Sequence, residues 1–435
     1  MNSDRFLIIF IVLVFVPFSL ACNVSIDRES DIFKIRVDSI KVVKFFISVK
    51  ESSECYLQKC ELNFEVKSTQ PDSINVVQFE GNSSIAFPPF LTEFNASISL
   101  KGLFPGFFEL STFCELESQL SMNLSTRSIF QGSVVRQVGM IDKVMQYVIR
   151  VMVFVMYANM GTQLDIAVVK ETLKRPIGPA IGFFSQFIFM PLVSYVIGYL
   201  LLYEHDIWRL GIFLFGCSPG GNSSNFWTLI FKGDLNLSIT MTFISCIASL
   251  GMMPLWLYTL GKTITKTVKL EVPFTNLVIS LVTLTSPIFV GILVKYFKPK
   301  CAEYVRKVIR PLTFVIVIAM IILLFVTQYF MFRMFTGIIV LTGFLIAISG
   351  YILGAVAALV FRLNRKQIIA ISIETAFQNG SIALVILHTS FDYPESDLAV
   401  VPIIAQALIT GQPLWLVYAI ISLSSFLRKK RTETE

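Results

Sequence analysis

The pattern of apolar and polar positions changes twice along the chain. Asp4 and Arg5 precede an apolar run from Phe6 to Phe18, and small residues follow at Ser19 and Ala21. A run this short, ending on small residues, predicts a cleaved secretory signal peptide over residues 1–21. The next segment alternates with period 2. Phe33-Lys34-Ile35-Arg36-Val37, Asn63-Phe64-Glu65-Val66-Lys67 and Ala96-Ser97-Ile98-Ser99-Leu100-Lys101 read as strands, with a turn at Gly102, Pro105 and Gly106. Residues 22–135 are therefore expected to form an exoplasmic β-sandwich-like domain. From about residue 144 the alternation stops and apolar stretches of membrane-spanning length begin. Nine are predicted, in 144–163, 177–203, 207–230, 235–261, 273–297, 309–331, 336–361, 367–390 and 398–427. They define a nine-helix membrane domain over 136–427, followed by a basic tail at 428–435.

Composition sharpens this picture. Of 435 residues 54% are hydrophobic and only 15% charged, and mean hydropathy is +0.72. A water-soluble domain carries about 25% charged residues, so lipid must solvate much of this chain. A soluble enzyme, a nucleic-acid binder and a disordered scaffold are all excluded. Residues 1–135 hold 11 basic against 15 acidic side chains, and residues 136–435 hold 25 against 14. If the amino terminus is outside, nine spans put the carboxyl terminus in the cytosol. Segments then facing inward carry 17 Lys and Arg, against 5 in the outward loops, Arg209, Lys262, Lys266, Lys269 and Arg333. That bias follows the positive-inside rule and predicts a multi-pass protein of the plasma membrane. Arg150 falls within the first span, where snorkelling or a water-filled cavity accommodates it.

Glycosylation sequons at Asn23, Asn82, Asn95 and Asn123 lie in the predicted exoplasmic domain. Cys55, Cys60, Cys114 and Cys22 could pair there, with connectivity open. Cys217, Cys246 and Cys301 lack metal-ligand spacing. His205 and His388 sit at span ends without a nucleophile, so no catalysis is expected.

Two spans are interrupted. Gly216-Cys217-Ser218-Pro219-Gly220-Gly221-Asn222-Ser223-Ser224-Asn225 places a proline, two adjacent glycines and four polar residues inside the third. Backbone freed at membrane depth needs partners, so such a break must be buried or line a cavity. The eighth span holds Glu374, the lone acid well inside any span, with Gln378 one turn later and Asn379-Gly380 inviting a second break. The breaks are five spans apart, as expected for an inverted repeat with a midplane site.

These motifs, together with Lys232-Gly233-Asp234, Asn236-Leu237-Ser238, Leu250-Gly251-Met252-Met253-Pro254 and Glu374…Gln378-Asn379, resemble the bile acid:sodium symporter family (solute carrier family 10) over about residues 140–425. The amino-terminal module is similar to a branch with a long exoplasmic extension. The resemblance implies an inverted-repeat transporter with two broken crossing helices. Its first sodium site would use Ser224, Asn225, Ser238, Thr242 and Glu374. Its second would use Gln186, Glu374 and Gln378, with the carbonyls of Thr375 and Phe377. Asn379, Pro219 and Gly220 become substrate-cavity candidates. The implied partners are co-transported sodium ions, an amphipathic organic anion resembling a bile acid or steroid conjugate, and the bilayer. No cofactor, other metal or nucleic acid is implied. A homodimer or an exoplasmic protein partner stays open, as does the alternative of a non-transporting receptor or assembly factor that keeps the fold as scaffold.

Overall fold

The computed structural model describes residues 23–28, 32–50, 60–68, 77–80, 82–87, 93–103, 105–116, 125–135, 140–221, 223–267, 274–300, 303–304 and 329–434. The signal-peptide segment, Cys22, Cys55, Asn123 and most of the span expected at 309–331 lie outside these residues. The chain folds as two compact units, Met1–Gln137 and Val138–Glu435.

The first unit is built of β1 (Asn23–Arg28), β2 (Ile32–Arg36), β3 (Ile40–Lys50), β4 (Cys60–Ser68), β5 (Val77–Phe79), β6 (Ser84–Phe87), β7 (Glu93–Gly102), β8 (Gly106–Leu116) and β9 (Ser125–Val135). They form a four-stranded sheet in the order β1-β3-β7-β5 and a five-stranded sheet in the order β2-β9-β8-β4-β6. Neighbours are antiparallel except β2 and β9, which run parallel. Period-2 alternation explains the core. Ile98 and Leu100 of β7, Phe108 and Leu110 of β8, and Ile35 of β2 point inward, while Lys34, Arg36 and Ser97 face water. Gly132 of β9 lies opposite Phe108, whose ring fills the space a side chain there would need. Of the expected glycan acceptors, Asn23 opens β1, Asn95 lies in β7 and Asn82 is exposed between β5 and β6.

The second unit is helical. Its elements are α1 (Met140–Gln163), α2 (Ile166–Lys174), α3 (Ile177–Leu201), α4 (Asp206–Gly216), α5 (Ser223–Ile230), α6 (Leu235–Thr265), α7 (Phe274–Phe297), α8 (Gly337–Val360), α9 (Arg365–Ala376), α10 (Gly380–Ser390), α11 (Glu395–Thr410) and α12 (Gln412–Thr434). Among the described residues five helices are long and apolar enough to cross a membrane: α3, α6, α7, α8 and the run Glu395–Ser425. The pair α1 and α2, bent by 71°, makes a sixth if counted as one span. This is fewer than the nine stretches read from hydropathy. The third and eighth stretches are each two short helices, and one further stretch lies mostly outside the described residues.

Short polar residues set the helix starts. Asp165 caps α2 through the Ala167 amide (2.9 Å) and Asp234 caps α6 through Leu237 (3.1 Å). Asn364 and Gln367 form a reciprocal capping box on α9. Burial is inverted relative to a water-soluble bundle. Leu200, Val290, Ile352 and Leu359 are exposed, whereas Gln186, Thr242, Glu374 and Gln406 are buried. A lipid-solvated helical protein has this distribution. Arg150 points outward from α1.

Candidate functional site at the meeting of two broken helices

α4 ends at Gly216 with Cys217 as its cap, and α5 begins at Ser223; between them Pro219 has no amide hydrogen to give. The chain between α9 and α10 is extended at Phe377 and restarts at Gly380. The two breaks satisfy one another. The Gly221 amide donates to the Phe377 carbonyl (2.8 Å), the Asn379 amide donates to the Pro219 carbonyl (2.8 Å), and Gly220 faces Gln378 as an antiparallel bridge. A short two-stranded ladder inside a helical bundle thereby replaces the bonds that both helices gave up. Pro219 and Gly220, expected to line a substrate cavity, supply this ladder, and so does the Phe377 carbonyl.

Glu374 lies in the last turn of α9, beside this ladder, and is 2% exposed. Ser224 donates to its Oε2 (2.6 Å), Ser238 to the same oxygen (3.0 Å) and Thr242 to Oε1 (2.6 Å). Ser238 and Thr242 are one turn apart on α6, and Ser224 opens α5, so three elements converge on one carboxylate. A methyl group on Gly220 would overlap Glu374 Oε1, and only glycine lets that backbone approach. Each short-bonded hydroxyl also has a second acceptor. Ser224 Oγ is 2.8 Å from the Gly221 carbonyl and Thr242 Oγ1 is 3.0 Å from that of Ser238. A hydroxyl has one proton and two lone pairs. Turning the proton to the carbonyl frees an oxygen lone pair toward Glu374, which is what a cation beside the carboxylate requires.

One turn along, the chemistry is that of amides. Gln186 Nε2 donates to the Ser218 carbonyl (2.9 Å) and to Gln378 Oε1 (2.5 Å), and Gln378 Nε2 donates to the Thr375 carbonyl (3.1 Å). Gln186 lies in a π-helical turn, Ser185–Phe189, within α3. That extra residue per turn re-aims side chains on a helix otherwise continuous to Leu201. Gln186 Oε1 and Asn225 Oδ1 are buried acceptors with no hydrogen-bond donor. Leaving one so costs about 1–3 kcal/mol unless something else ligates it. A cavity of about 10 Å³, the size of one small ion or water, is lined by Gln186, Ser245 and Glu374 among others.

Of the residues expected at the sodium sites, Ser224, Ser238, Thr242 and Glu374 therefore meet, and Gln186 meets Gln378. Asn225 sits beside Ser224 with its oxygen unengaged, and the Thr375 hydroxyl turns back to the Ile371 carbonyl (2.8 Å). Asn379 caps α10 through Ile382 (3.3 Å) and donates to the Tyr157 hydroxyl (2.5 Å). Sequence reasoning missed Ser245, which accepts from the Gly220 amide (3.1 Å) and donates to the Thr242 carbonyl (2.8 Å). The signal was present: Ser238, Thr242, Ser245 and Ser249 recur at helical spacing on one face of α6.

A sequence model of the sodium bile acid symporter family matches residues 150–335. The hepatic sodium/bile acid cotransporter of Rattus norvegicus is 35% identical over 253 residues, which cover 58% of this chain and 69% of that protein. The chain belongs to the sodium bile acid symporter family. The Homo sapiens hepatic sodium/bile acid cotransporter is also 35% identical, over 58% of this chain and 72% of its own length. The sodium-dependent organic anion transporter of Homo sapiens is 29% identical over 64% of this chain and 73% of its own length. All three of these relatives are transporters by name, and the family match includes the first break, at Pro219-Gly220-Gly221.

Proposed function

We propose that this member of the family is a sodium-coupled symporter of amphipathic organic anions such as bile acids or steroid conjugates. The observation that carries the reading is the buried Glu374 carboxylate, ringed by three hydroxyls of which two have alternative carbonyl acceptors. One sodium ion is taken by Ser224, Asn225, Ser238, Thr242 and Glu374. A second is taken by Gln186, Gln378 and Glu374 with the Thr375 and Phe377 carbonyls. Hard cations favour several oxygens at once, and the two donor-less acceptors, Asn225 Oδ1 and Gln186 Oε1, fall one in each set. Sodium stabilises the crossing ladder, the anion binds beside it, and one helix group rocks against the other. Nine spans arranged as an inverted repeat place this crossing at the midplane. The signal peptide is removed, the sheet domain is glycosylated outside the plasma membrane, and the basic tail faces the cytosol.

The deciding experiment is uptake of labelled bile acids and steroid sulfates by cells expressing the chain, with sodium or choline outside. Uptake that requires an inward sodium gradient is expected. Equal uptake in choline, or none in sodium with the protein at the cell surface, overturns the reading; the latter result favours a non-transporting receptor.

A further inference from the structure

Helix contacts in the second unit are of two kinds. In the first, glycines bring backbones together. A methyl group on Gly161 of α1 would overlap the Ile288 carbonyl oxygen of α7, and one on Gly291 of α7 would overlap the Ala158 carbonyl oxygen of α1. Lys295 at the end of α7 donates to the Leu164 carbonyl at the end of α1 (2.8 Å) and pairs with Asp165 (3.7 Å). α1 and α7 are thus locked to one another over their carboxyl-terminal turns. Comparable glycine contacts join α4 to α11 (Gly211 against the Ala399 carbonyl), α4 to α3 (Gly216 against Ser194) and α8 to α9 (Gly350 against Ala376). Among the glycines with such contacts, none joins the α1–α7 pair to this second group.

The second kind is side chain to side chain, and it is what holds the α1–α7 pair to α10. Tyr157 of α1 accepts from Asn379 at the start of α10 (2.5 Å). Ser280 of α7 and Thr389 of α10 share a hydrogen bond (3.0 Å). Gln146 of α1 donates to the Tyr393 hydroxyl just beyond α10 (2.7 Å). Asn379 and Thr389 are about 15 Å apart on a helix of ten residues' rise, so the three bonds run the length of α10. They form a seam from the crossing to the Met140 end of α1. Tyr157 is 2% exposed, and its hydroxyl also lies 3.9 Å from the Cys246 sulfur on α6. Such side-chain bonds can exchange partners as helices part, whereas interlocked glycines cannot slide without backbone overlap.

We propose that Tyr157, Ser280 and Thr389 are positioning residues of the transport cycle, forming with Gln146, Asn379 and Tyr393 a seam that is closed in this conformation and must open for the cycle to proceed. Tyr157 joins the seam to the crossing, because its partner Asn379 both caps α10 and belongs to the ladder. Sodium at the crossing then biases the seam toward opening at the Met140 end. This inference rests on the symport reading above.

The test is a Ser280→Cys/Thr389→Cys double variant, whose oxygens now 3.0 Å apart become sulfurs within bonding reach. Oxidation in intact cells should give the disulfide-linked peptide by mass spectrometry. It should also abolish uptake in this variant alone, with uptake restored by dithiothreitol. Linkage with uptake at the parental rate would show that the seam stays closed throughout, and sink the proposal. No linkage in a variant at normal surface abundance would do the same. Linkage is read without any uptake, which separates the two claims. If the parent takes up nothing, the symport reading falls, and the seam is judged by linkage yield in sodium against choline. A yield at least twofold lower in sodium supports an opening seam, and an equal yield overturns it. Adding Tyr157→Phe, which keeps the ring and removes the hydroxyl, should lower the yield about 15 Å away along α10. An unchanged yield breaks the claim that the bonds act together.

Discussion

The two sides of Glu374 satisfy their polar groups differently. On the side of Ser224, Ser238 and Thr242 the carboxylate accepts three hydroxyl protons. On the side of Gln186 and Gln378, one amide donates twice while its own buried oxygen has no donor, beside a cavity of about 10 Å³. The first arrangement is complete until a cation asks the hydroxyls to turn. The second has an acceptor and room already in place. On the symport reading, a cation on the carboxylate side would displace hydrogen bonds, whereas one on the amide side would ligate an oxygen that accepts none. The two sides should therefore respond unequally to mutation even though they share Glu374.

The largest expected effect removes what both sides share. Glu374→Gln replaces an oxygen that accepts with an NH2 that donates, facing hydroxyls that already donate. Removing one partner from a buried charge pair costs about 3–5 kcal/mol, so apparent sodium affinity should fall by more than about 100-fold. Sodium-driven uptake normalised to surface abundance reads this. Near-parental uptake would mean that the carboxyl is a neutral structural group and that the comparison has no ionic centre.

Next is Gly220→Ala. Its methyl would overlap Glu374 Oε1 and come 3.3 Å from Ser245 Oγ. Uptake should drop about tenfold or more, because displacing a packed group costs about 1–3 kcal/mol. Gly251→Ala on α6 is the matched control: nothing lies within 4 Å of the added methyl. Helix propensity should there leave stability equal or raised by up to about 1 kcal/mol. Equal losses in both variants, measured as thermal stability in detergent and uptake in cells, would show general helix damage.

How much of this is legible in the sequence depends on the kind of signal. Pro219-Gly220-Gly221 and Asn379-Gly380 announced both breaks, because backbone preference is a local property that a sequence displays. Glu374 stood out as an acid in an apolar span. The strands around Ile35, Phe64 and Ile98 followed from alternation. What was hidden was relational. A serine such as Ser245 is unremarkable in a membrane helix until the Gly220 amide is found against it. Tyr157 reads as packing until its hydroxyl meets Asn379. The π-helical turn that aims Gln186 inward leaves no mark in residue order. Hydropathy also marked the last span at 398–427, and the chain runs from Glu395 to Ser425 as one membrane-length stretch with a turn at Gly411.

A third pair of variants separates the sides directly. Gln186→Ala deletes the donor-less oxygen and two donated bonds, and Thr242→Ala deletes one of three hydroxyls. Both should raise the half-saturating sodium concentration, by about tenfold, as a loss of about 1–1.5 kcal/mol implies. The amide-side variant should lower the steepness of the sodium dependence, since it removes one class of ion and leaves the carboxylate side able to bind. Identical curves for the two variants would collapse the distinction into one site.

The smallest expected effect is also the most discriminating. Ser245 lies between the two sides, lining the small cavity with Gln186 and Glu374 while bonded to Gly220 and to the Thr242 carbonyl. Ser245→Ala leaves the Gly220 amide without that acceptor, and a shift of about threefold in half-saturating sodium is expected from a bond worth about 0.5–1 kcal/mol. Its value lies in double-mutant cycles, because residues serving one ion couple and residues serving different ions add. If the Ser245 hydroxyl belongs to the amide side, Ser245→Ala with Gln186→Ala should shift sodium dependence less than the two singles together, and Ser245→Ala with Thr242→Ala should be additive. The opposite pattern would assign Ser245 to the carboxylate side through the Thr242 carbonyl. Additivity in both cycles would reduce Ser245 to a brace for the Gly220 turn, and the cavity beside it would then play no part in holding an ion.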